Sequence, residues 1–174
     1  MRLIQSIYRF DVSLFMWISS CNTQAGWVRL ARWVSASANG PLYLLLMLGL
    51  YLGRSETADL LLSCLLLGFL IERPIYFILK PIFRRDRPFE NLKTRRHIVP
   101  GDRFSFPSGH TSAAFLVATM LGSFEPILYP GLLLWASSVA AARVILGVHF
   151  PTDTLVGALM GSGLAMAAME ILIQ

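Results

Sequence analysis

Near the C-terminus of this 174-residue chain, Arg143 closes an apolar run, His149 follows six residues later and Asp153 four residues after that. Arginine offers a tetrahedral anion a permanently charged fork of donors. A carboxylate that fixes one imidazole nitrogen as a donor leaves the other nitrogen as a nucleophile or base. Pro151 stands where a helix can begin, which puts Asp153 in the first turn, within reach of His149. Packing, capping and helix-dipole roles would suit the same His and Asp, so the chemistry has to be supported from elsewhere in the chain.

Two other stretches support it. Lys80 stands seven residues before Arg87-Pro88, and Pro107-Ser108-Gly109-His110 opens an apolar run. Ser108 is a natural N-cap and Gly109 lets the backbone approach a ligand, so the N–H groups of Gly109 and His110 are expected to face a phosphate oxygen from a helix N-terminus. Lys80, Arg87 and Arg143 would hold the other oxygens and offset the charge that builds as phosphorus becomes five-coordinate. His110 would then lie on the leaving-group side.

Together the three clusters resemble the type 2 phosphatidic acid phosphatase family, whose signature is K-x6-R-P, P-S-G-H and S-R-x5-H-x3-D. Either of the first two alone is a weak match; three in order at the right spacing are a strong one. Ala142 stands where the family usually has Ser, so one auxiliary hydroxyl is missing while every charged position is kept. The resemblance covers residues 80–153 and implies a membrane-embedded helical lipid phosphatase. It implies that His149 attacks phosphorus and forms a phosphohistidine, that Asp153 orients it, and that His110 protonates the departing alkoxide. Such a route needs no cofactor and no metal, since the cations do the work of a divalent ion. A metal held by His110, His149 and Asp153 is the alternative, but the sequence has neither a close two-His spacing nor an evident further ligand.

These residues must be positioned by helices in a bilayer. With 55% hydrophobic and 14% charged residues, the chain reads as one integral membrane domain over 1–174. The net charge of +5 is broken up by long apolar segments, which favours anionic lipid or phosphorylated ligands over nucleic acid. At about 20 apolar residues per crossing, spans fall near 33–53, 58–79, 108–124, 126–147 and 153–173. A sixth built from 5–21 is the alternative count, so the expected fold is an all-α polytopic bundle of five to six spans. Residues 1–32 carry Arg2, Arg9, Arg29 and Arg32 among residues such as Ile4, Phe15 and Trp27, and read as interfacial amphipathic helices. Residues 80–105 form the one long polar loop, with eight basic and three acidic residues. Small residues from Gly157 to Ala167 permit close helix packing.

Several residues stand outside the motifs. Glu72 and Arg73 interrupt the second span and should face the bundle interior or a wet cavity, either paired with each other or near a headgroup. His97, Lys93, Arg95, Arg96 and Arg103 suit a solvated or lipid-facing loop. Cys21 and Cys64 are too far apart in sequence for a metal motif.

The expected substrate is an anionic lipid with its phosphate at headgroup depth. Phosphatidylglycerophosphate or phosphatidic acid fits a cytoplasmic site; undecaprenyl pyrophosphate or a lipid A phosphate fits an outward one. Without Lys80 and Arg87 the loop still carries +3, as do residues 1–32, against −1 for Arg54, Glu56 and Asp59, which points the site to the cytoplasm. The resemblance implies a bacterial inner membrane and often its outer face, and ligand-binding cations mark orientation poorly, so both directions stay open. A non-catalytic lipid-binding protein would be expected to lose a charged motif position, and a transporter to show internal repeats. No oligomeric state is implied.

Overall fold

The computed structural model describes residues 2–21, 25–92 and 94–173. Lys93 and the side chains of Arg2, Ile4 and Cys21 lie outside the described residues. Among those described there is no strand; the helices are α1 (Arg2–Cys21), α2 (Ala25–Ala36), α3 (Gly40–Gly53), α4 (Glu56–Phe83), α5 (Pro88–Asn91), α6 (Gly109–Phe124), α7 (Tyr129–Ile145) and α8 (Pro151–Ile173).

The bundle is built round α6, which packs against α8, α7 and α4. Ala114, Leu116, Ala118 and Met120 of α6 have no exposed surface. The small residues of α8 let the two backbones meet: a Cβ on Gly161 would lie 2.1 Å from the Ser112 carbonyl oxygen, and one on Gly157 2.6 Å from that of Ser108. Leu48, Leu70, Phe77, Leu134, Leu159 and Met166 point outward on the surrounding helices. In water that much apolar surface would be an aggregation liability, and in a bilayer it is the solvated face.

Among the described residues three helical stretches are long and apolar enough to cross a membrane, Glu56–Asn91, Pro126–Ile145 and Pro151–Ile173. Ala25–Ala36 and Gly40–Gly53, bent by 43°, would together make a fourth. The expected count of five to six is therefore not reached by length and composition. The run expected at 108–124 folds as a helix of only 16 residues, about 24 Å long, and lies at the centre of the bundle. The alternative sixth span falls on α1, which keeps Arg9 and the fully buried Asp11.

Helices α1 and α2 each bury one side against the end of α7 and the segment after it. Phe15 of α1 packs with Val144 and Phe150, and Ala31 of α2 with Ala142, Leu146 and Val148. Phe10, Trp17, Trp27 and Trp33 remain exposed. Both helices thus brace the segment that carries Arg143 and His149.

Candidate active site

Four helix ends, the C-termini of α4 and α7 and the N-termini of α6 and α8, converge at one end of the bundle. Lys80 lies in the last turn of α4, whose C-terminus is closed by Arg84 in the left-handed region (φ 46°) with its N–H on the Lys80 carbonyl. The chain leaves extended, and Arg87 becomes the N-cap residue of α5. Ser105 ties the following loop back by donating its N–H to the Arg85 carbonyl at 2.8 Å. At the end of α7, Gly147 turns the chain at φ 77°, where a side chain would also meet the Arg95 carbonyl oxygen. Val148 and His149 follow, and α8 starts at Pro151, as the spacing predicts.

His149 is almost wholly buried, with its Nδ1 3.7 Å from Asp153 Oδ2. The carboxylate is therefore on the expected side of the ring but beyond hydrogen-bond length, a gap common in ligand-free sites. Asp153 is itself held fast: Oδ2 accepts the Phe150 N–H at 2.8 Å and Oδ1 accepts Arg85 Nη1 at 2.7 Å. Arg85 also pairs with Asp11, which accepts from the Thr152 N–H and hydroxyl. One guanidinium thus serves two buried carboxylates, one on α1 and one at the start of α8. Burial holds the His149 imidazole well below the usual histidine range, the charges of Arg143, Arg87 and Lys80 push the same way, and a backbone hydrogen bond with Ser105 opposes them.

The expected phosphate ligands fall into two groups. Arg87 donates Nη1 to the Val148 carbonyl at 2.6 Å and Nη2 to Asp102 Oδ1 at 2.8 Å. Lys80 donates to that same carboxylate oxygen and to the Phe104 carbonyl, both at 2.6 Å, and Tyr76 donates its hydroxyl to Asp102 Oδ2 at 2.6 Å. Burial raises the Asp102 carboxyl, but the bonds from Lys80 and Tyr76 and the charges of Lys80 and Arg87 outweigh it, leaving it below the usual carboxylate range. Arg143 is bound to the Ser35 hydroxyl of α2 at 2.8 Å, and its Nε is buried with no partner among the described residues. Ser35 thus supplies a hydroxyl to this arginine from across the fold, where Ala142 has none to give.

At the start of α6, Ser108 holds the N-cap position but does not cap with its side chain. The expected capping bond is replaced by one between the Ser108 and Thr111 hydroxyls at 2.9 Å, and the Ser108 N–H donates to the Asp153 carbonyl at 3.0 Å. Ser108 therefore locks α6 to α8. Gly109 is packed so closely on the Tyr76 ring that a Cβ would lie 2.6 Å from it. His110 Nε2 meets the Asn39 side-chain oxygen at 3.0 Å, which sets the ring's plane from the α2–α3 bend.

A cavity of about 590 Å³ opens onto this end of the bundle, lined by Arg87, Asp102, Gly109, His110, Arg143 and His149. It continues between α3 and α4 along Tyr43, Leu44, Met47, Leu66 and Phe69. The predicted site residues Lys80, Ser108 and Asp153 stand behind its wall. His97 is outside it, with its backbone joined to Leu146 and Arg32. Among the described residues no group of three or more His, Cys, Asp or Glu is placed to hold a metal ion.

The profile of the PAP2 superfamily matches residues 56–173, most of the chain. The chain belongs to the PAP2 superfamily. This PAP2 chain is 31% identical over 135 residues to "Probable lipid phosphate phosphatase beta" of Arabidopsis thaliana, covering 62% of the chain and 63% of the relative. Among solved structures it resembles Aquifex aeolicus LpxE, with TM-score 0.81 and 28% identity over 91% of this chain and 93% of that one. It also resembles a PAP2-type phosphatidylglycerolphosphate phosphatase from Bacillus subtilis, with TM-score 0.77 and 25% identity over 95% and 86%. It spans between 48% and 63% of the length of the first curated relatives it matches. The likeness to membrane phosphatase folds, with the spans above, makes it a multi-pass membrane protein.

Six residues of the candidate site were not assigned to it from sequence: Asp11, Ser35, Asn39, Tyr76, Arg85 and Asp102. Arg85 and Asp102 lay within the basic loop, where they count only as charges. Asp11 carried one signal, being the lone acid in residues 1–32. Ser35 and Asn39 carried none, because their partners lie 108 and 71 residues away.

Proposed function

We propose that this PAP2 chain is a metal-independent lipid phosphate phosphatase of a bacterial inner membrane. It takes a phosphate monoester or pyrophosphate of an anionic lipid, phosphatidylglycerophosphate or phosphatidic acid first; an outward-facing site would take undecaprenyl pyrophosphate or a lipid A phosphate. The observation that carries the reading is the single cavity in which His110, His149, Arg87 and Arg143 meet and which runs on into an apolar cleft between α3 and α4. One end suits a tetrahedral dianion and the other a hydrocarbon chain.

In the proposed reaction an unprotonated His149 nitrogen attacks phosphorus in line as the P–O ester bond breaks. The electron pair leaves on the alkoxide as His110 delivers a proton to it. Arg87 and Arg143, joined by Lys80 and the first N–H groups of α6, stabilise the equatorial oxygens. Water then attacks the phosphohistidine and gives a proton to His110, releasing phosphate and a neutral His149. Asp153, held by Arg85 and the Phe150 N–H, closes on Nδ1 as positive charge develops on the ring.

The test is phosphate release from a panel of lipid phosphates in detergent, with chelator and with vanadate. Wild type should release phosphate with chelator present and be inhibited by vanadate, and His149→Ala should be inactive. Chelator-sensitive release, or a mutant at full rate, would overturn the mechanism.

A further inference from the structure

One ionic group at membrane depth is not used by this mechanism. Glu72 has no exposed surface, while Arg73 beside it is 39% exposed at its side chain and lines the same cavity as His110 and His149. Arg73 donates Nε and Nη2 to the Glu72 carboxylate, the latter at 2.6 Å. Its Nη1 makes no hydrogen bond among the described residues, and the guanidinium lies 4.9 Å from the centroid of the Tyr76 ring. The buried carboxylate thus fixes an arginine whose remaining donors are left for the cavity. A charged pair within a span is costly, and a pair serving only to neutralise itself would be matched by two apolar side chains.

The register along α4 says what the arginine is for. Leu66, Phe69, Arg73 and Tyr76 line the cavity and Lys80 continues the stripe, three and four residues apart on one helix face. Read toward the site, this face is apolar, then cationic, then aromatic, then cationic again, with Arg73 about 10 Å along the axis from Lys80. A lipid lying along it would have chains, then an anionic group, then a spacer, then the phosphate to be removed.

We infer that Arg73 is a second anion subsite, which takes the phosphodiester of a lipid whose terminal phosphate monoester is separated from that diester by a glycerol. The inference rests on the phosphatase reading above and narrows its substrate class. Phosphatidic acid has no second phosphate to offer Arg73. In a polyprenyl pyrophosphate the second phosphorus shares a bridging oxygen with the first, so it would sit against the cradle and not one heptad away along α4. Phosphatidylglycerophosphate has the required order.

Initial rates on phosphatidylglycerophosphate, phosphatidic acid and a polyprenyl pyrophosphate in mixed micelles test this. Glu72→Gln combined with Arg73→Gln removes the charge without stranding the carboxylate. The pair should lower kcat/KM for phosphatidylglycerophosphate about tenfold or more, chiefly through KM, and change the other two by less than about threefold. Arg73→Lys, which keeps the charge but not the fork, should lose less and covers the case in which the pair variant does not fold. Equal losses on all three lipids would make Arg73 a support of the bundle, and no loss on the diester would likewise overturn the subsite. Wild type that releases phosphate from none of them, or a His149→Ala control at full rate, would instead refute the phosphatase reading on which the subsite rests.

Discussion

The Lys80 ammonium is bound to the Asp102 carboxylate at 2.6 Å, and the oxygen that accepts it also accepts Arg87 at 2.8 Å. Two of the three cations expected to hold a phosphate are thus occupied by an internal anion, and Asp102 and the substrate compete for the same donors. Asp102→Asn keeps the shape and a partner for Tyr76 but removes the charge. Vanadate and inorganic phosphate should then inhibit at about tenfold lower concentration, as expected when a charge-assisted bond no longer has to be exchanged. Inhibition at the wild-type concentration or above would mean that Asp102 orders the cations and does not compete for them.

Asp11 ties α1 to the site through Arg85 and Thr152, and Arg85 holds Asp153. Asp11→Asn should lower kcat about tenfold while leaving KM nearly unchanged, because the loss falls on the orientation of Asp153 and not on lipid contacts. Breaking a buried pair on one side should also cost about 3 kcal/mol of stability. Separate kcat and KM values, with thermal unfolding in detergent, check both parts; an unchanged kcat would limit Asp11 to anchoring the helix.

His149 is kept neutral by burial and by the nearby cations. In the unfolded chain it takes up a proton below about pH 6.5, and in the folded protein it does not until well below that. The folded state should therefore lose stability as pH falls below about 6.5, by up to about 1.4 kcal/mol per pH unit from this residue, until the folded pKa is reached. Histidine NMR, assigned against His149→Gln, should show a neutral ring at pH 6, and the Gln variant should lack this part of the acid destabilisation. A ring that titrates near pH 6.5 would contradict the burial argument.

The α6–α8 contact has no room for a side chain at Gly161. Gly161→Val should destabilise the bundle by about 1–3 kcal/mol, as overpacking does. Gly163, where a Cβ would meet open space, is the control. A Gly161 variant as stable as a Gly163→Val variant would show that the helices can separate without loss.

Much of the site was legible in sequence because its elements announce themselves locally. Pro151 marks the start of α8, the His149–Asp153 spacing brings the two side chains to one turn, and the P-S-G-H run marks the entry to α6. What escaped was set by distance or by competition. Asp11 meets Thr152 across 141 residues and Arg143 meets Ser35 across 108, and no local pattern encodes such pairs. Ser108 looked like a cap, but its hydroxyl is bound to that of Thr111 instead. The run expected at 108–124 folds as α6, a helix of 16 residues enclosed by its neighbours.

The account depends most on a covalent bond between His149 and phosphorus. Protein quenched in alkali during turnover of a lipid phosphate, where a phosphoramidate survives, and then analysed by peptide mass spectrometry tests this directly. Phosphate on His149 in wild type, lost on acid treatment and absent from His149→Ala, is the predicted result. Steady turnover with no phosphorylated His149 at any quench time, or phosphate found on His110 instead, would contradict it.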